Sequence, residues 1–332
     1  VKAHALREII QSKDRVFVMG HKNPDADSLG SAIGIYRLAK TLGKNAHIIL
    51  NEVTSAIQPV YDALQGQPAV YGDDMFIKND KAIDLKDANT MLIVVDVNRP
   101  CLTECEDLLK YVKTIVVLDH HRQTGDTIKN AVLSYIEPYA SSSCEMVTEI
   151  LQYIVDKPKL RPAEADALYS GMIVDTDNFV SKAGVRTFEA AAYLRRSGAD
   201  VVRVRKLFRE DMSNYKLRAE AVRSSEMYLD EFAIAICPTT GAGNPTVLGA
   251  QVANELLDIQ GVRASFVFTE LPDKIHVSAR SLDNLNVQII MEKIGGGGHI
   301  NMAATQLYDC SVAEAMDTVK ELLKTMKEEG DI

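Results

Sequence analysis

Met91 to Asp96 reads MLIVVD and Thr114 to Asp119 reads TIVVLD, two unbroken apolar runs that each end on an aspartate. Runs of strand length with no polar alternation are what parallel strands covered on both faces look like. Arg15 to Gly20 (RVFVMG) is a third β-rich run, and helical patterns alternate with these over Ser28 to Leu42, Ser143 to Ile154 and Ala163 to Val174. The rhythm predicts an α/β fold with a doubly wound, mainly parallel sheet. Ligands bind beyond the carboxyl ends of the strands in such sheets, and this sequence carries its acids and histidines there.

Outward from that sheet the pattern changes. Arg186 to about Met227 reads as helical and charged, with helices expected at Glu189 to Arg196 and Lys216 to Ser225. Beyond Tyr228, strand signals at Phe232 to Ile236, Ala264 to Thr269 and Lys274 to Ala279 flank a helix between Thr246 and Asp258, and an amphipathic helix spans Val312 to Met326. The expected organisation is a domain over residues 1–186, a helical linker over 187–227 and a smaller α/β domain over 228–332. A chain of 332 residues exceeds what one core usually organises, which agrees with two domains.

Composition excludes several classes. Apolar residues make up 46% and charged residues 25%, which is ordinary for a globular chain, and no apolar run approaches the roughly 18 residues of a membrane span. The fragment itself is therefore expected to make no membrane contact. A formal net charge of −9 argues against a sequence-blind grip on long nucleic acid, which relies on many Lys and Arg contacts to phosphate. An acidic protein still binds a short phosphate ligand when metal ions supply the positive charge. The five cysteines follow no paired framework, which fits a reducing, cytosolic setting. The chain starts with Val and has no signal peptide, so it reads as a fragment of a longer protein.

Four segments concentrate the chemistry: His21, Asp25 and Asp27 in GHKNPDADSLG; Asp96 after LIVV; Asp119-His120-His121; and Asp175 with Asp177 in GMIVDTDNF. Any one acid here is open to a humbler reading, since Asp25 or Asp27 would cap the helix opening at Ser28. Together, carboxylates converging on one crevice would raise one another's pKa values, a conflict that divalent cations remove. Six to seven carboxylate and imidazole ligands suit two ions sharing a bridging carboxylate, roughly 3.5–4 Å apart. The ligand chemistry favours Mn²⁺, with Fe²⁺, Co²⁺ or Zn²⁺ as substitutes.

A second cluster joins Ser278 and Arg280 to Gly295-Gly296-Gly297-Gly298-His299. Arg280 offers a planar fork for phosphate and the glycines let backbone N–H groups approach an anion, against the alternative of a plain flexible loop. Arg122 follows the two histidines, and one of Ser141, Ser142 and Ser143 caps the next helix, an end that also suits a phosphate. The basic run Arg203, Arg205, Lys206 and Arg209 reads as a solvated helix face, and His4, His47 and His276 have no partners that suggest chemistry.

HKNPDAD, LIVVD, LDHHR and IVDTDNF resemble the motifs of the DHH superfamily, and SARS with GGGGH resembles its DHHA1 substrate domain. Longer strings, YIEPYASSSCEMVTEILQY, RTFEAAAYLRRSGAD and SARSLDNLNVQIIMEKIGGGGH, are similar to the GdpP-type cyclic-di-AMP phosphodiesterases. The resemblance implies that His21, Asp25 and Asp96 hold one metal and that Asp27, Asp96, His120 and Asp175 hold the other. Asp119 would orient a histidine, and His121 would meet the reacting phosphate or its nucleophile. Ser278, Arg280, Gly296, Gly297, Gly298, His299, Arg122 and Ser142 would contact substrate, with the second domain closing over the metals. The implied reaction is attack of a metal-bridging hydroxide on cyclic di-AMP to give linear 5′-pApA. The competing expectations are a nanoRNase or pAp phosphatase acting on short linear oligonucleotides, and a non-catalytic dinucleotide sensor. The resemblance further implies tethering to the cytoplasmic face of a bacterial membrane through a preceding region, and it leaves a homodimer open. Two departures, Asp177-Asn178 and Ala304, bear on substrate fit.

Overall fold

The chain divides into two compact units, residues 1–209 and 210–332. The computed structural model describes residues 2–72, 74–123, 125–154, 160–282 and 285–332, apart from the side chains of Pro68 and His299.

The first unit is built on six strands: β1 (Arg15–Met19), β2 (Asn45–Ile49), β3 (Phe76–Ile77), β4 (Thr90–Val95), β5 (Thr114–Asp119) and β6 (Leu133–Ile136). They pair in the order β3-β2-β1-β4-β5-β6, every neighbour parallel. Alternate residues of each strand enter opposite cores, as the two-residue period requires. Met91, Ile93 and Val95 of β4 pack in one cluster, and Leu92 and Val94 pack in the other. Helices α1 (Lys2–Gln11), α2 (Ala26–Thr41), α3 (Ser143–Ile154), α4 (Pro162–Asp175), α5 (Val185–Arg196) and α6 (Val201–Leu207) supply the first cluster. The short helices Asn79–Leu85 and Leu108–Tyr111 cover the other face. This is a doubly wound α/β layer structure. The chain runs β1 to β2 in one direction and later returns to lay β4 on the other side of β1, so the carboxyl ends of β1 and β4 diverge into a crevice.

Two residues hold α2 against α4. Arg37 of α2 meets the buried Glu164 of α4 in a fork, with Nε at 2.9 and 2.8 Å from the two carboxylate oxygens. The same Glu164 accepts from the Arg161 backbone N–H at 2.9 Å, closing the start of α4. The basic run on α6 departs from expectation at one position. Arg203 is not simply solvated, since its guanidinium pairs with Asp166, a buried acid of α4 that also accepts from the Asp200 N–H. An unpaired buried carboxylate is costly, and Arg203 removes that cost.

The second unit opens with α7 (Met212–Arg223) and continues β7 (Glu226–Tyr228), β8 (Phe232–Cys237), α8 (Pro245–Leu256), β9 (Ala264–Leu271), β10 (Lys274–Ser281), α9 (Val287–Glu292), β11 (Gly297–His299), β12 (Met302–Leu307) and α10 (Val312–Glu329). Its sheet runs β11-β12-β10-β9-β8-β7 and is mixed: β8 and β9 are parallel and the other pairs antiparallel. Phe232, Phe266 and Phe268 pack with α9 and α10 on one face, while Ala233, Ala235 and Val267 pack with α8 on the other. Among the described residues, no helix is long and apolar enough to cross a membrane.

Candidate metal centre

Every expected ligand leaves the sheet at a carboxyl end or arrives from a helix end beside it. Asp25 is the N-cap of α2, its carboxylate accepting from the N–H groups of Asp27 and Ser28 at 3.0 and 2.9 Å. Asp27, in the first turn of α2, reaches the N-terminus of α3 and accepts from the N–H groups of Ser143 and Cys144 at 2.7 and 2.8 Å. A helix N-terminus favours an acceptor, and here the acceptor is a side chain of the protein itself. The phosphate that the sequence allowed at this end is displaced by Asp27, and Ser142 is buried with its hydroxyl accepting from the Glu145 N–H at 3.0 Å.

Asp96 is the first residue past β4 and sits in the left-handed region at φ +59°. Its N–H donates to the Leu118 carbonyl at 2.9 Å, continuing the β4–β5 ladder, and the Ser143 hydroxyl donates to its Oδ1 at 3.1 Å. The two carboxylate oxygens face different histidines: Oδ2 lies 3.4 Å from His21 Nε2, and Oδ1 lies 3.4 Å from His120 Nε2. His21 Nε2 is also 3.7 Å from Asp25 Oδ1. His120 Nε2 is 3.3 Å from Asp175 Oδ2 and 3.8 Å from Asp27 Oδ2.

These side chains form donor groups whose ligand atoms lie within 4.8 Å of one another: His21, Asp25 and Asp96; Asp27, His120 and Asp175; and Asp96, His120 and His121. His120 Nε2 is the informative atom. It is buried with no hydrogen-bond partner, although three carboxylates surround it. Ligands about 2.1 Å from one ion stand roughly 3–3.5 Å apart, so the spacing suits a shared cation better than a hydrogen bond. The residues present fit divalent metal, with Asp96 in two of the three groups and His120 linking the second of these to Asp27 and Asp175.

Electrostatics agree. Burial, then the charges of Asp96 and Asp175, push Asp27 well above the usual carboxylate range. Burial and Asp96 raise Asp175 to about 7. Burial also opposes charge on Asp96, but His120 and His21 outweigh it and draw its pKa down. Burial likewise opposes protons on the imidazoles, yet Asp25 and Asp96 carry His21 to about 11, and Asp96 with Asp27 carries His120 to about 9.

Asp119 is fully buried and holds the next histidine. Its Oδ1 accepts from His121 Nδ1 at 2.7 Å and from the His121 N–H at 3.1 Å, while its Oδ2 accepts from Asn98 Nδ2 at 2.6 Å. The hydrogen bond to Asp119 raises the His121 pKa. Asn98 escaped the sequence reading, although its place two residues past Asp96 was a usable signal.

Glu145 and Arg186 were missed as well. The buried Glu145 accepts from the hydroxyls of Ser141 and Thr187, both at 2.6 Å, so it ties the approach to α3 to the start of α5. Arg186 lies 3.8 Å from Glu145 and forms a two-pronged pair with Glu149, both bonds 2.7 Å. Gly171 of α4 completes the support. A methyl group there would stand 2.4 Å from Cys144 Sγ and 2.8 Å from Asp27 Cα.

The remaining candidates fall elsewhere. Arg122 is exposed beside His121. Ser278 is buried on β10, between Val267 of β9 and Ala304 of β12. Arg280, also on β10, donates to the Ala279 carbonyl at 2.9 Å, and burial lowers its pKa. The glycines are explained in part by packing. A Cβ on Gly296 would meet the Ala304 carbonyl oxygen at 2.3 Å, and one on Gly298 would meet that of Met302 at 2.4 Å, whereas Gly297 faces open space. The His299 side chain lies outside the described residues.

Residues 15–172 match the DHH family, N-terminal domain, and residues 233–328 match the DHHA1 domain. The cyclic-di-AMP phosphodiesterase PdeA of Listeria monocytogenes serotype 1/2a is 41% identical over 95% of this chain and 48% of its own length. The cyclic-di-AMP phosphodiesterase GdpP of Geobacillus thermodenitrificans is 42% identical over 99% of this chain and 50% of its own. The chain thus spans about half the length of these curated relatives. In fold alone, it is similar to the crystal structure of an exopolyphosphatase-related protein from Bacteroides fragilis, at TM-score 0.80 and 19% identity over 98% of this chain and 96% of that one. With both domains in the expected order and identity above 40% along nearly its whole length, the chain belongs to the DHH family and carries a DHHA1 domain after its DHH domain.

Proposed function

We propose that this chain is a metal-dependent phosphodiesterase that hydrolyses cyclic di-AMP to linear 5′-pApA. The observation that carries the reading is the position of Asp96, whose two oxygens face His21 of one donor group and His120 of another, in a chain more than 40% identical to proteins named for that activity. Two divalent cations, Mn²⁺ by preference, would supply a water of lowered pKa and a counter-charge for the phosphoryl oxygens. His21, Asp25 and Asp96 would hold one, and Asp27, Asp96, His120 and Asp175 the other.

The protein's own groups do the rest. Asp119 fixes the His121 ring through Nδ1 and favours its charged form, so the remaining Nε2–H is available to donate to a phosphoryl oxygen. Asn98 keeps Asp119 from turning away. In the second unit, Arg280 and the Gly296–Gly298 amides serve as phosphate contacts, with Ser278 supporting the strand beneath Arg280. For the longer protein we propose tethering to the cytoplasmic face of a membrane.

The test is product analysis after incubation with Mn²⁺ and cyclic di-AMP, with pApA and cyclic di-GMP in parallel. Rapid formation of pApA from cyclic di-AMP supports the reading. Cleavage of pApA alone points to a nanoRNase, and tight binding without any product points to a sensor.

A further inference from the structure

The turn that follows Asp175 is folded against local preference. Asp177, Asn178 and Phe179 occupy the left-handed region in succession, at φ +46°, +56° and +67°. For a bulky aromatic residue this is a genuine outlier, and such conformations persist only where the surroundings dictate them. The turn is tied accordingly. The Asn178 N–H donates to the Ile173 carbonyl and the Ser181 N–H to the Thr176 carbonyl, both at 2.9 Å, and the Phe179 N–H donates to the buried Thr176 hydroxyl at 3.0 Å.

The product of this arrangement is an aromatic surface. Phe179 rests on Tyr169 with centroids 5.9 Å apart, and Phe188 of α5 stacks on Phe179 at 5.5 Å with the planes 30° apart. Phe188 remains 54% exposed, and Val180, next to Phe179, and Val185, three residues before Phe188, are exposed at 83% and 75%. Phe179 is half-buried against the first core cluster and backs Phe188, which the core leaves exposed together with the two valines. Lys182 of the same turn lies close enough for its charge to act on Asp175. An aromatic face and a cation, four and seven residues past a metal ligand, match the base and phosphate of a nucleotide.

We propose that Phe188, backed by Phe179, forms a stacking platform for a nucleobase beside the metal centre. The proposal rests on the nucleotide-hydrolase reading of that centre and adds the part of the site that grips the base. Stacking on a ring accepts any base, so the platform contributes affinity and orientation without choosing adenine over guanine.

The test is calorimetric titration of the Mn²⁺-loaded full chain with a hydrolysis-resistant phosphorothioate analogue of pApA, and separately with ribose 5-phosphate as a baseless probe. Phe188→Ala, and Phe179→Leu, which keeps bulk against Tyr169, should each weaken the dinucleotide analogue roughly five- to hundred-fold. Both should leave ribose 5-phosphate unchanged, and Phe188→Tyr should restore the analogue's affinity. Unchanged affinity in both variants, equal losses on the two probes, or no binding of the analogue by the parent chain would overturn the proposal. Absence of cyclic di-AMP turnover together with the expected variant effects would refute the hydrolase reading and leave the platform standing.

Discussion

At the scale of single residues, the centre depends on side chains that touch several partners at once. Asp96 meets His21 with one oxygen and His120 with the other, so Asp96→Asn should disturb both ions. Removing an outer partner of a metal ligand typically costs roughly 10–100-fold, and the shared ligand should exceed that range. Asn98→Ala, which frees Asp119, should fall within it. Steady-state rates with Mn²⁺ and metal content on the same samples check both, and intact turnover in Asp96→Asn would remove Asp96 from the shared role. Gly171→Ala drives a methyl into Asp27 and Cys144. It should lower stability by about 1–3 kcal/mol and reduce metal content, readable by urea melts and elemental analysis. The acids and histidines that converge at this centre were legible in sequence because aspartate and histidine at the ends of apolar runs stand out against their surroundings. Asn98, Glu145 and Arg186 were not, since their value lies in partners 21 to 42 residues away.

At the scale of elements, β1, β4 and β5 could be read directly, because strands buried on both faces must be apolar throughout. The edges could not. β3 is two residues long, β6 is only partly buried, and β11 is built from glycine with the closing histidine, so none carries a periodic signal. Helix α5 begins at Val185, four residues before the expected Glu189, because Thr187 at its start is drawn in by Glu145. The Arg37–Glu164 fork between α2 and α4 is buried, so Arg37→Met leaves a lone carboxylate. That should destabilise the first unit by about 3–5 kcal/mol in denaturant titrations, and a change near zero would mean Glu164 finds another partner. His47 of β2 gives the sheet a pH dependence. Burial holds its pKa below the ordinary 6.5, so the unfolded chain binds the proton more readily. Stability should therefore fall as pH drops below about 6.5, and His47→Gln should show a shallower decline over that window. Parallel slopes for the two proteins would exclude His47 as a source.

At the scale of the whole molecule, each unit has its own pair of apolar clusters, and every proposed metal ligand belongs to the first. Mn²⁺ at a hundredfold its dissociation constant should stabilise that unit by about 2.7 kcal/mol. Calorimetric scans with and without Mn²⁺ should show the transition of the first unit rising and that of the second holding still, and equal shifts would contradict the assignment. The order of the strands also sets a timetable. Between His21 and Asp175 lie about 150 residues, which a ribosome adds in roughly eight to thirty seconds. β1 waits through the synthesis of β2 and β3 for β4 to arrive beside it, and Asp175 comes only with the end of α4. The ion proposed for Asp27, Asp96, His120 and Asp175 would therefore be captured late, by a chain whose sheet is already made, so metal scarcity would leave a folded chain without that ion rather than an unfolded one.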